Sequence, residues 1–162
     1  MQRIASQIVW QSILLFLILL PGFALAENSA PEDYLSSKSL VLEVRYCECQ
    51  ATKADSAPSD LLPSFLKESS LLKVGVSSVD KGFVSSHELS IGYELKPVSG
   101  SSDQSQFSYS GNYTTSYGSS AGNGGLLLVQ GQWLILFGSQ HENEAGSQDS
   151  NVAVRLVKPG GS

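Results

Sequence analysis

Methionine, histidine and cysteine are scarce in this chain of 162 residues, which has one Met, two His and two Cys. A zinc site draws three or four His, Cys or carboxylate ligands at set spacings. His87 and His141 stand apart, each with only a glutamate beside it, Glu88 and Glu142, so no such spacing exists. Neither histidine has an identifiable orienting acid for a Ser-His-acid triad. Serines abound, yet no Gly-x-Ser-x-Gly elbow occurs. Thioredoxin-like chemistry needs Cys-x-x-Cys at a helix N-terminus, and the cysteines here read Cys47-Glu48-Cys49. Basic residues are also few, ten Lys and Arg against fifteen Asp and Glu, for a net charge of −5. An acidic chain without a basic stripe is attracted neither to nucleic acid nor to anionic lipid. Gly122-Asn123-Gly124-Gly125 is glycine-rich but lacks the Gly-Lys-Ser/Thr of a phosphate loop. No carboxylate pair for glycoside hydrolysis stands out among fifteen acids. The chain is read as non-enzymatic, with no cofactor, no metal and no nucleic acid partner.

Long apolar runs are equally rare, and the one that exists is informative. Met1 to Ser12 carries one basic residue, Arg3, and no acid. Ile13 to Leu20 is unbroken apolar sequence, Pro21-Gly22 breaks it, and Ala24-Leu25-Ala26 supplies small residues. This is the order of a secretory signal peptide, with cleavage expected after Ala26. A spanning helix needs about 20 apolar residues, so the run is too short to be one. Glu27, not a cysteine, stands directly after the cleavage site, which argues against a lipid anchor. The expectation is an exported protein, periplasmic or extracellular, without a transmembrane segment after cleavage. Residues 1–26 form the signal peptide, 27–39 a flexible mature N-terminus, and 40–159 a single β-rich domain.

Within that domain the periodicity is mostly two. Leu40, Leu42, Val44 and Tyr46 alternate with Val41, Glu43, Arg45 and Cys47, the pattern of a strand with one buried face. Residues 59–69 hold the only convincing helix, with Pro63 in its first turn and Leu61, Leu62, Phe65 and Leu66 on one stripe. Residues 72–79 form a strand. Asp80-Lys81-Gly82 reads as a tight turn using a positive φ at Gly82, and 83–96 as one returning strand. Phe107, Tyr109 and Tyr113 lie on one face of a further strand. Residues 117–125, rich in Gly and Ser, read as a flexible loop. Leu126–Val129 and Trp133–Phe137 are apolar on both faces and are expected in the middle of the fold. Residues 140–150 are expected to be mobile, and Val152, Val154 and Leu156 to face inward from a last strand. Short strands, turns and one helix predict a mainly β fold, an antiparallel sandwich or curled sheet.

Two places invite a functional reading. Cys47 and Cys49 sit in an oxidising compartment, where cysteines usually pair. On a flat strand their Cα atoms lie about 6.5 Å apart, near the limit for a bridge. A disulfide within or between chains, two idle thiols and a soft-metal site all remain open. The second place is Phe107, Tyr109, Tyr113 and Tyr117. At strand spacing these rings suit a core. Their Ser/Gly/Asn setting also suits a stacking surface for sugar or peptide.

The second half carries a further pattern. A strand ends at Leu95-Lys96-Pro97, then comes Leu128-Val129-Gln130-Gly131-Gln132-Trp133-Leu134-Ile135-Leu136-Phe137-Gly138, and Val154-Arg155-Leu156-Val157-Lys158-Pro159 closes the chain. Residues 40–159 thereby resemble the carboxy-terminal β-region of bacterial secretins, the outer-membrane rings of secretion and pilus systems. That region has a strand ending near Pro, a hairpin with a Gly-Gln turn, and a last strand ending in Pro. The resemblance carries over no site residue. It implies a small relative or accessory that binds an envelope or secretion-system protein. The alternative is a small extracellular carbohydrate-binding module or enzyme using Phe107 to Tyr117.

Overall fold

A computed structural model describes residues 32–50, 63–143 and 146–160. Two short helices, α1 (Glu32–Ser36) and α2 (Pro63–Glu68), accompany eight strands. The strands are β1 (Leu40–Gln50), β2 (Ser70–Val76), β3 (Asp80–Ser85), β4 (Leu89–Pro97), β5 (Gln104–Thr115), β6 (Gly118–Val129), β7 (Leu134–Asn143) and β8 (Gly146–Val157). They form two four-stranded sheets, ordered β2-β1-β8-β7 and β3-β4-β5-β6. Every pairing is antiparallel.

The inner faces of both sheets meet in one core, so the fold is an antiparallel β-sandwich. Leu40, Leu42, Val44 and Tyr46 of β1 are buried there, beside Val152, Val154 and Leu156 of β8. Leu89, Ile91, Tyr93 and Leu95 of β4, with Phe107 and Tyr113 of β5, face them from the other sheet. The inward residues of β1 and β8 are those the alternation picks out, but the face read as solvent-exposed is largely covered too, with Val41, Glu43, Cys47, Ala153 and Val157 buried. The helix expected over 59–69 is α2, where Pro63 takes the first position and Phe65 is buried. The start of the expected helix, 59–62, and the side chain of Leu66 lie outside the described residues.

Several expectations are corrected. Residues 27–39 are not wholly irregular, since α1 occupies Glu32–Ser36. Gly82 is not in a turn: it pairs with Tyr93 inside β3, and the turn falls earlier, at 77–79. A Cβ at Gly82 would sit 2.6 Å from the Tyr93 hydroxyl, so the glycine makes room for a ring rather than for a bend. The single strand read over 83–96 is a β3–β4 hairpin. Its turn is tied by the Ser86 hydroxyl, which accepts from the Glu88 and Leu89 amides.

The Gly/Ser stretch read as a loop is the first half of β6, in unbroken register with β5 from Gly118 to Val129. Within the stretch read as mobile, 140–143 and 146–150 pair as the ends of β7 and β8, with His141 opposite Gln148 and Gln140 opposite Asp149. The apolar runs expected in the middle of the fold lie in edge strands, where Leu128 and Leu136 are buried but Leu127 and Ile135 are exposed. The Gly131 turn, at φ +85°, does not close a hairpin. It carries the chain from β6 in one sheet to β7 in the other.

Candidate functional site

The outer face of the β2-β1-β8-β7 sheet is where charge collects. In register, Lys73 of β2, Glu43 of β1 and Arg155 of β8 form one row across three strands. Glu43 is 4% exposed despite lying on the face that period two assigns to solvent. It accepts from Arg155 Nε at 2.9 Å and Nη2 at 2.6 Å, and Lys73 Nζ lies 3.4 Å away. A carboxylate removed from water is tolerable only when paired and hydrogen-bonded in this way. The Arg155 guanidinium also lies 4.8 Å from the centre of the Trp133 ring, and the Arg45 guanidinium lies 5.6 Å from it. Arg45 Nη1 donates to the Ser69 hydroxyl at 3.1 Å.

These groups border a cleft of about 480 Å³. Among the described residues its walls hold four cationic side chains, Arg45, Lys73, Arg155 and Lys158, and one carboxylate, Glu43. Leu35, Val41, Leu71 and Val157 supply apolar surface. No local signal in the sequence marks this site: Glu43 and Arg155 lie 112 residues apart. The only hint was alternating charge, Glu43 then Arg45, on the outward face of β1.

Farther along the same face, Cys47 and Cys49 form a disulfide, with Cα atoms 5.5 Å apart. The strand contracts locally to bring them within bridging range. Cys47 packs with Phe65 of α2 and Ala153 of β8, beside Trp133. Helix α2 thus covers the part of the sheet that the cleft leaves open. Among the described residues no group of His, Cys, Asp or Glu is placed to hold a metal.

The aromatic segment is divided by the fold. Phe107 and Tyr113 are buried, and Tyr109 is partly buried against the core. These three are therefore not a binding surface, because β5 turns them toward the opposite sheet. Tyr93, Phe107, Tyr109 and Phe137 stack in sequence, with ring centres 6.1 to 6.2 Å apart, and the Tyr109 hydroxyl donates to the Leu136 carbonyl at 2.7 Å. Burial, then Asp80 and Tyr34, pushes the Tyr93 hydroxyl up to about 12. Burial, then Glu88, Glu48 and Tyr46, pushes Tyr113 to about 12.

Only Tyr117, 50% exposed, faces solvent. It stacks on His141 at 4.9 Å and borders a small cleft of about 180 Å³ with Glu48, Gln140 and Gln148. Glu48 accepts from the Ser116 amide at 3.0 Å and the Ser116 hydroxyl at 2.5 Å, which fixes the β5–β6 turn.

The four sheet edges differ in protection. β2 carries Lys73, β3 is six residues long with Asp80 and Lys81, and β7 has an irregularity between Ile135 and Phe137 plus Glu142. Each is a device that discourages edge pairing. β6 reads GSSAGNGGLLLV over 12 residues, with no charge and no proline. Within its sheet it pairs only with β5, and Leu127 is 46% exposed. No helix among the described residues is long and apolar enough to cross a membrane. No protein-family model, curated protein or solved structure matches the chain.

Proposed function

We propose that this chain is exported and acts as a non-enzymatic β-domain, joining an envelope or secretion/pilus assembly through the edge of β6. The observation that carries the reading is that edge itself. It is long, uncharged and proline-free, while the other three edges are short, charged or irregular. Such an edge offers a row of backbone donors and acceptors to an incoming strand. The secretin-like pattern and the signal peptide read from the sequence agree with an envelope setting.

Crosslinking in the native envelope from a photoreactive residue at Asn123, followed by mass spectrometry, tests this. Recovery of a secretion or pilus component is expected, together with loss of that crosslink in Leu127→Lys. Intact mass should show a chain starting at Glu27. Absence of any protein partner, or crosslinks indifferent to Leu127→Lys, would reject strand addition.

The second reading, a carbohydrate-binding module, keeps one favourable observation, the exposed Tyr117–His141 stack beside its small cleft. A saturable glycan-array signal lost in Tyr117→Ala, by about 1 kcal/mol of affinity, would favour it instead.

A further inference from the structure

We infer that the cleft on the outer face of the β2-β1-β8-β7 sheet binds a small organic anion, a carboxylate or phosphate monoester on an apolar body. This site is separate from the β6 edge, since β6 belongs to the other sheet. Three observations lead to it.

The first is charge. The chain carries a net −5, yet among the described residues this cleft gathers Lys73, Arg155 and Lys158 around one carboxylate, Glu43. Satisfying Glu43 does not need them all: Arg155 supplies two hydrogen bonds and Lys73 stands 3.4 Å away. Lys158 makes no ion pair with Glu43 and is exposed at the rim.

The second is preorganisation. Glu43 holds Arg155 by Nε and Nη2, and the Trp133 ring lies against its guanidinium. A guanidinium has five N–H donors in a rigid fork. Fixing one edge of the fork leaves the donors of Nη1 in a set position, the geometry that matches a carboxylate or phosphate. Glu43 thus acts as a positioning residue, and the ligand's charge would be met by Arg155, Lys73 and Lys158.

The third is shape. About 480 Å³ lies within the usual size of small-ligand clefts. Leu35, Val41, Leu71 and Val157 offer apolar surface that a bare inorganic ion would not use. An amphiphilic anion uses both kinds of wall.

Calorimetric titration of the purified exported chain with octyl phosphate and octanoate tests the inference, with octanol and inorganic phosphate as comparisons. Saturable binding of octyl phosphate or octanoate is expected, weakening with added salt. Octanol and inorganic phosphate are each expected to bind at least tenfold more weakly, because each lacks one half of the recognition. The double variant Lys73→Gln/Lys158→Glu changes two exposed side chains and keeps the Glu43–Arg155 pair. It should weaken binding at least tenfold while circular dichroism stays unchanged and unfolding stays cooperative, and Lys158→Glu alone, which touches no ion pair of Glu43, should weaken binding with the melting temperature unchanged. Equal binding of octanol would mean a merely greasy groove and overturn the proposal. So would binding unaffected by the double variant, or no saturable binding of either anion. Sedimentation with anionic vesicles in the absence of binding to free octyl phosphate would overturn it in favour of a membrane surface. None of these outcomes depends on the β6 edge, so Leu127→Lys should leave the titration unchanged.

Discussion

Glu43 and Arg155 show how much one buried charge controls. Arg155→Ala would leave the Glu43 carboxylate desolvated and without its two hydrogen bonds. A loss of about 3 kcal/mol is expected, against less than about 1 kcal/mol for Lys73→Ala, whose ammonium is half-exposed. Urea denaturation of both variants checks the contrast, and equal losses would show that Glu43 is less dependent on Arg155 than its geometry indicates. Two tyrosines set an alkaline limit. In the unfolded chain a tyrosine ionises near pH 10, whereas Tyr93 and Tyr113 are held up to about 12. Between those values the unfolded chain has shed protons that the native state keeps, so stability falls as pH rises. Their contribution is complete below about pH 10 and lost as pH climbs through about 12. Urea midpoints measured across that window should fall, and the fall should flatten in Tyr93→Phe/Tyr113→Phe. An unchanged slope in the double variant would assign the loss to other groups. At this scale the sequence revealed which positions were apolar. It did not reveal that Glu43 is buried, because its partner is distant along the chain.

At the scale of elements, the strands with plain alternation were legible and the glycine-rich one was not. β1 and β8 send every second side chain, an apolar one, into the core between the sheets, so their pattern is visible locally. β6 instead depends on what faces it. A Cβ at Gly122 would sit 2.6 Å from Cβ of Phe137, a residue of the other sheet. At Gly124 the nearest atom, in the Tyr109 ring, is 3.6 Å away, an ordinary contact. Gly122→Ala should therefore cost about 1–3 kcal/mol through overpacking. Gly124→Ala should be neutral or stabilising by about 0.5 kcal/mol, because it restricts the unfolded chain. Thermal unfolding of the two variants separates a loop from a strand. If 117–125 were a loop, both changes would be tolerated alike. Turn position was misread for a related reason: Gly82 suits a bend, but it is the Tyr93 ring that needs the missing Cβ.

For the whole molecule, the decisive pairing is the first strand with the last. β1 and β8 pair over ten positions, from Val41–Val157 to Gln50–Gln148, placing β8 between β1 and β7. Deleting residues 151–162 would remove Val152, Val154 and Leu156 from the core and strip β1 of a neighbour. Loss of cooperative unfolding and of near-UV circular dichroism is expected, and a truncated chain that still melts cooperatively would refute the central place given to β8. The β class, the short helix at Pro63 and the inward faces of β1 and β8 were legible in the residues alone. Those follow from local periodicity and from backbone limits that neighbouring residues impose on each other. Which strands became edges, where the turns fall, that Phe107, Tyr109 and Tyr113 face inward, and that Lys73, Glu43 and Arg155 share a row were settled by how distant strands assembled. Each of these depends on register between distant segments, and a strand shows the same alternation whichever neighbour it finds.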